Sequence, residues 1–74
     1  MTLEHTDTFG GESNYSWVRR TTMPHEGLTN LAIVRRAKAW AGITGARCRV
    51  DRFGDMIAIW PTDLCQGVFI TFED

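Results

Sequence analysis

The segment LTNLAIVRRAKAWAGITG, residues 28–45, decides the fold class because it carries the clearest secondary-structure pattern in the chain. Placed at about 100° per residue, its apolar side chains fall within one sector of about 120°, the width of a stripe that packs against a core. The segment therefore predicts an amphipathic helix that buries Ile33, Val34, Ala37, Trp40 and Ala41.

Both ends of this helix carry a local signal. The hydroxyl of Thr29 can cap the N-terminus, because it can accept a hydrogen bond from a free backbone N–H of the first turn. Gly42 stands where a left-handed residue ends a helix, and Ile43 is placed to fold back onto the last turn. Three cations lie outside the apolar stripe and are expected to face water: Arg35, Arg36 and Lys38.

Beyond the helix, the run ARCRVDRFGDMIAIWP, residues 46–61, alternates with the period of two that is typical of strands. Gly54 and Asp55 form a two-residue hairpin signal between two such strands, and Pro61 ends the second one. A further strand is predicted in GVFITFE, residues 67–73. Within the first of these strands one set of side chains, Cys48 and Val50, faces opposite to the other set, Arg47, Arg49 and Asp51.

The N-terminal third predicts a β-hairpin. Residues 3–9 alternate weakly, Gly10 and Gly11 suit a tight turn, and residues 15–22 resume an extended pattern that Pro24 ends. Because the first arm is polar, a loose N-terminal tail is the alternative.

Together these elements predict one α+β domain over residues 1–74, an antiparallel sheet of four to five strands with one helix on one face, in ββαβββ order. The last two strands carry apolar side chains on both faces, whereas one helix covers one face only. The other face, expected to carry some of Trp17, Ile57, Ile59 and Phe69, is then either closed by the N-terminal hairpin or open to a partner. A symmetric homodimer with Phe69 or Ile59 in its interface is a further alternative.

Charge is distributed unevenly along the chain. The net charge is −1, yet all eight Lys and Arg residues lie within residues 19–52, where only Glu26 and Asp51 oppose them. This segment has a formal charge of +6, so one side of the molecule is expected to be basic.

Several functional classes lack their sequence signals. No apolar run approaches the roughly 20 residues that span a bilayer, and no secretion signal opens the chain, so we expect a cytoplasmic protein. In that compartment Cys48 and Cys65 are expected to be thiols, and a single disulfide between them is the alternative. His5, His25 and these cysteines are too scattered for a local metal chelate. No nucleophile elbow or phosphate-binding loop is present, and we expect neither an enzyme nor a bound cofactor or metal.

The aromatic and arginine residues indicate two alternative kinds of partner, a single-stranded nucleic acid or a protein. Tyr15 and Trp17 beside Arg19, Arg47 and Arg49 contain the parts of a platform on which single-stranded nucleic-acid bases stack. The same residue types are enriched at protein interfaces, and the isoelectric point of about 6.0 favours a protein partner over a nucleic acid.

The stretches FGGESNYSWVRR, IVRRAKAWAGITG and RCRVDRFGDMIAIWP together resemble small accessory proteins of tailed bacteriophages, of the host-takeover or anti-CRISPR-like, anti-defence type. This resemblance implies an inhibitor or modulator that binds a host enzyme such as RNA polymerase, or a bacterial-defence complex, without catalysis. It assigns no residue a role. From the residues themselves we expect a charged contact area formed by Arg35, Arg36, Lys38, Arg47 and Arg49, with Tyr15 or Trp17 as an anchor.

Overall fold

The computed structural model describes residues 1–8 and 17–72, which form a five-stranded antiparallel sheet with one helix packed on one face. The strands are β1 (Thr2–Asp7), β2 (Val18–Thr22), β3 (Cys48–Phe53), β4 (Met56–Pro61) and β5 (Gln66–Thr71), and the helix is α1 (Asn30–Ala41). The predicted α+β class and the ββαβββ order are confirmed.

Strand order in the sheet is β2-β1-β5-β4-β3, so the segment containing α1 crosses from one edge of the sheet to the other. β1 lies between β2 and β5, and Leu3 in β1 is completely buried. The first arm is therefore a central strand and not a loose tail. The predicted turn at Gly10 and Gly11 lies outside the described residues.

The ends of α1 form as the sequence predicts. Thr29 Oγ1 accepts from the Ala32 amide at 3.2 Å, and Gly42 has φ 76°, a left-handed conformation that favours glycine. The amide of Ile43 then donates to the Lys38 carbonyl at 2.9 Å, which brings Ile43 back into the core.

The core lies between α1 and the sheet. Strand register places Leu3, Val68 and Ile70 on the helix side, together with Ile57 and Ile59 of β4. The buried side of α1 consists of Ile33, Ala37 and Ala41, with Val34 and Trp40 half-buried beside them, which confirms the predicted stripe.

Of the residues from which the face away from the helix was expected to draw, Phe69 lies there, whereas Ile57 and Ile59 do not. Both side chains are buried in the core, and Ile59 has no exposed surface, so it is unavailable to a dimer interface. The opposite face of β4 carries Met56, Ala58 and Trp60 instead. Both sets are apolar, and alternation alone does not tell which set meets the helix.

On this opposite face, two aromatic rings lie over a glycine. Trp60 and Phe69 meet edge to face with centroids 5.3 Å apart, and a Cβ added to Gly67 would approach both rings at 3.3 Å. β1 and β2 extend the sheet sideways and do not lie across this face, so these two strands do not close it in the way that the sequence suggested.

Candidate functional site

Trp17 lies on the helix side of the sheet, immediately before β2. Its ring meets the buried His5 ring edge-on, with centroids 4.7 Å apart, and the residue remains 38% exposed. His5 also packs 6.0 Å from Trp40 of α1. Trp17 therefore helps to close the edge of the core and keeps an exposed part.

An arginine of β2 contacts the same side of the helix as His5 does, at Trp40. The Arg19 guanidinium lies 5.0 Å from the ring centroid of Trp40 and donates to the Trp40 carbonyl at 3.4 Å. Arg36 precedes Trp40 by four residues and thus belongs to this side of α1. We call Trp17, Arg19, Arg36 and Trp40 the Trp40 flank.

His5 is a residue of this region that, from the sequence, was considered only as a metal ligand and was not placed in the site. Its Nε2 donates to Gln66 Oε1 at 3.0 Å, and its Nδ1 has no hydrogen-bond partner among the described residues. The signal that could have found it is the alternation of Leu3 and His5 on one face of β1, which places both under the helix.

On the other side of α1 lies a cavity of about 350 Å³, which we call the helix cleft. It is lined by Leu31, Val34, Arg35, Lys38 and Thr44. The four helical residues follow the spacing of one helix face, and Leu31 among them is 60% exposed. The cleft combines an exposed apolar side chain with two cations, and none of the carboxylates in residues 1–8 and 17–72 lines it.

A hydrogen bond joins the helix cleft to the start of β3. Lys38 Nζ donates to the Ala46 carbonyl at 2.9 Å, and Arg47 follows Ala46 directly. The Arg47 carbonyl is fixed in turn by the amide and hydroxyl of Thr62. Of the predicted residues, Arg35 and Lys38 therefore line one cleft, and only the backbone that precedes Arg47 reaches it.

Arg49 lies elsewhere. It is paired with Trp60 in the sheet, on the face away from the helix, and its guanidinium lies 5.9 Å from the Trp60 ring centroid. Its Nε binds Asp51 Oδ2 at 3.2 Å, and the same oxygen accepts from Trp60 Nε1 at 3.1 Å. The sheet separates Arg49 from the helix cations, so the five predicted cations do not form one continuous area.

The parts of the predicted base-stacking platform are also divided. Trp17 and Arg19 lie on the helix side, Arg49 lies on the other side, and Tyr15 is outside the described residues. A second cavity of about 260 Å³ opens beside Arg49 and Trp60, whose polar groups already pair with Asp51.

Charge pairing separates the arginines further. Within the described part of the chain, the two ion pairs are Arg20 with Glu4 and Arg49 with Asp51. Four arginine side chains make no hydrogen bond or ion pair there: Arg35, Arg36, Arg47 and Arg52. Arg52 was not among the predicted site residues, although its alternation with Cys48 and Val50 places it on the helix side.

Groups that could support other chemistry are dispersed. Over residues 1–8 and 17–72, no three His, Cys, Asp or Glu residues gather into a group that could hold a metal ion. Cys48 and Cys65 are free thiols. Within those same residues no helix has the length and apolar character needed to cross a membrane.

Comparison with known proteins identifies no relative, since no family model, curated protein or solved structure matches the chain. The class of the protein is therefore defined by its own fold and surface. It is a small α+β domain with a basic, partly apolar cleft beside its single helix.

Proposed function

We propose that the chain is a non-enzymatic protein-binding module that contacts its partner through the helix cleft. The observation that carries this proposal is the exposure of Leu31 in a cleft lined by Arg35 and Lys38, with no opposing carboxylate among the residues that the structure describes. Burying an exposed leucine favours association, and the cations select the charge of the surface that covers it.

The partner surface is acidic in this proposal. The +6 segment of the chain steers such a surface towards the helix, and the unpaired Arg35 is free to meet its carboxylates. The resemblance to phage accessory proteins makes a host enzyme or a bacterial-defence complex in the cytoplasm the expected partner. Stoichiometric binding would then inhibit or modulate that complex.

A single-stranded nucleic acid fits the geometry less well. Trp60 and Phe69 lie edge to face, and the Trp60 indole and Arg49 are both held by Asp51, so the ring faces are not laid out as a stacking surface. The aromatic and arginine residues of the Trp40 flank lie on the other side of the sheet.

Two adjacent arginines provide the test. Arg35 lines the helix cleft and Arg36 belongs to the Trp40 flank, yet both are exposed, unpaired and in the same helix. Arg35→Glu and Arg36→Glu therefore change charge and helix propensity equally. We expect the tagged wild-type protein and the Arg36→Glu variant to capture the same partner from bacterial lysate. The Arg35→Glu variant should capture little or none of this partner, although all three proteins should unfold at the same temperature.

A purified partner should then titrate to a fixed stoichiometry. Capture that survives Arg35→Glu, or that both substitutions weaken equally, contradicts a site in the helix cleft. Binding of a labelled single-stranded oligonucleotide at about 50 mM salt, where phosphate contacts are strong, would favour the nucleic-acid alternative.

A further inference from the structure

The strand β3 forms one edge of the sheet. Within the described residues it pairs with β4 only, whereas β2 forms the other edge. The two arginines of β2 are engaged, Arg19 on Trp40 and Arg20 with Glu4 at 2.8 Å. The edge at β3 is longer by one residue and keeps an unpaired arginine, Arg52.

Backbone register shows which groups of β3 are unused. The Thr62 amide donates to the Arg47 carbonyl at 2.9 Å, one position before the pair of Cys48 with Pro61. Hydrogen-bonded and non-bonded pairs alternate in an antiparallel ladder, so Cys48, Val50 and Arg52 turn their N–H and C=O groups away from β4. Pro61 fits this assignment, because it has no N–H to offer to Cys48.

The side chains of this edge define what can pair with it. Val50 is 39% exposed and Arg52 is exposed, and both lie on the helix side, the side of the helix cleft. Asp51, the one carboxylate of β3, already binds Arg49 and Trp60. The edge thus offers free backbone groups, an apolar side chain and uncompensated positive charge.

Two copies of β3 would pair poorly with each other. A second copy would bring no carboxylate of its β3 beside Arg52, because Asp51 lies on the other face of the strand and already binds Arg49 and Trp60. A strand that carries carboxylates would pair favourably with β3, because cross-strand pairs of opposite charge stabilise a sheet.

We propose that β3 binds an extended acidic segment of the partner as a sixth antiparallel strand, with a carboxylate beside Arg52 and an apolar side chain beside Val50. This inference rests on the proposed protein-binding function and names the form of the partner. Backbone hydrogen bonds to Cys48, Val50 and Arg52 supply the pairing, and the side chains supply the selectivity for acidic sequences.

Two synthetic peptides of about seven residues, a usual strand length, test the proposal without a known partner. In one, Glu and Val take turns at every second residue with Thr between them, so that Glu and Val side chains lie on the same face of the strand, as Arg52 and Val50 do in β3; in the other, Lys replaces Glu. During NMR titration of the wild-type protein, the Glu peptide is expected to shift the amide signals of Cys48, Val50 and Arg52 more than those of Arg49 and Asp51. The Lys peptide is expected to leave them unchanged.

Two substitutions separate backbone pairing from charge. Val50→Pro removes an N–H that β4 does not use, and should weaken Glu-peptide binding by roughly three- to tenfold, as expected for one lost hydrogen bond, while Val50→Thr retains the N–H and the binding. Arg52→Glu keeps the whole backbone edge and is expected to exchange the preference, so that the Lys peptide binds better than the Glu peptide.

Other outcomes overturn the inference in distinguishable ways. Shifts confined to the helix cleft, or an equal response to both peptides, refute strand addition and leave the proposed function to its own test with Arg35→Glu and Arg36→Glu. Dimerisation that Val50→Pro abolishes would make a second copy the occupant of β3. Competition by a single-stranded oligonucleotide for the same amides would assign the edge to nucleic acid.

Discussion

Leu3 shows how much of this fold depends on single residues. It is the one large apolar side chain of β1, and it is completely buried beneath the helix. Its neighbours His5, Thr6 and Asp7 are buried as well, although they are polar. The Thr6 hydroxyl donates to the Trp17 carbonyl at 2.9 Å, which shows how a polar side chain is accommodated inside the sheet.

We therefore expect Leu3→Ala to lower the free energy of unfolding by about 2–5 kcal/mol, the usual range for truncating a buried leucine. Leu31→Ala makes the same chemical change at an exposed position and should alter it by no more than about 0.5 kcal/mol. Urea denaturation followed by tryptophan fluorescence measures both. Equal effects of the two substitutions would show that Leu3 is not buried between the sheet and the helix.

At the scale of elements, the sequence predicts best what is local. The helix is foreseen with both ends because Thr29, Gly42 and Ile43 act within a turn of it. The hairpin between β3 and β4 is foreseen because Gly54 and Asp55 connect strands that are adjacent in sequence. Sheet order is not foreseen, since the pairing of β1 with β5 joins residues from opposite ends of the chain.

The face of the sheet on which a side chain lies was harder to predict than the strand to which it belongs. This limited the prediction of the candidate site. Alternation separates Ile57 and Ile59 from Met56, Ala58 and Trp60, but both sets are apolar enough to meet a helix. The same ambiguity placed Arg49 beside the helix cations, from which the sheet separates it. Only the three-dimensional arrangement also shows that Arg35 and Arg36, adjacent in sequence, serve different flanks.

The end of α1 gives the prediction at this scale. Gly42→Ala should destabilise the protein by about 1–2 kcal/mol, because alanine is strained at φ 76° although no atom crowds the site. Gly45→Ala is the matched control, since Gly45 is equally uncrowded and lacks a left-handed φ. It should leave stability unchanged or raise it by a few tenths to about 1 kcal/mol. Thermal unfolding of the two variants in the same buffer measures the difference. A lower unfolding temperature for Gly45→Ala than for Gly42→Ala would contradict the left-handed end of α1 at Gly42.

Across the whole molecule, unpaired positive charge is concentrated around α1 and the adjoining edge. Arg35 and Lys38 line the helix cleft, and Arg52 lies on the helix side of β3. Arg20 and Arg49, on the face away from the helix, are instead neutralised by Glu4 and Asp51. The proposed acidic partner would meet the unpaired charge on the helix side, whereas the ion pairs of Arg20 and Arg49 lie on the opposite face.

Amide hydrogen exchange, measured for the free protein and for the purified complex with its captured partner, tests this division most directly. We predict that the partner slows exchange in the α1 residues beside the helix cleft and at Cys48, Val50 and Arg52, with little change around Trp60 and Phe69. Slower exchange confined to Trp60, Phe69 and their neighbours, with the helix side unaffected, would contradict the account.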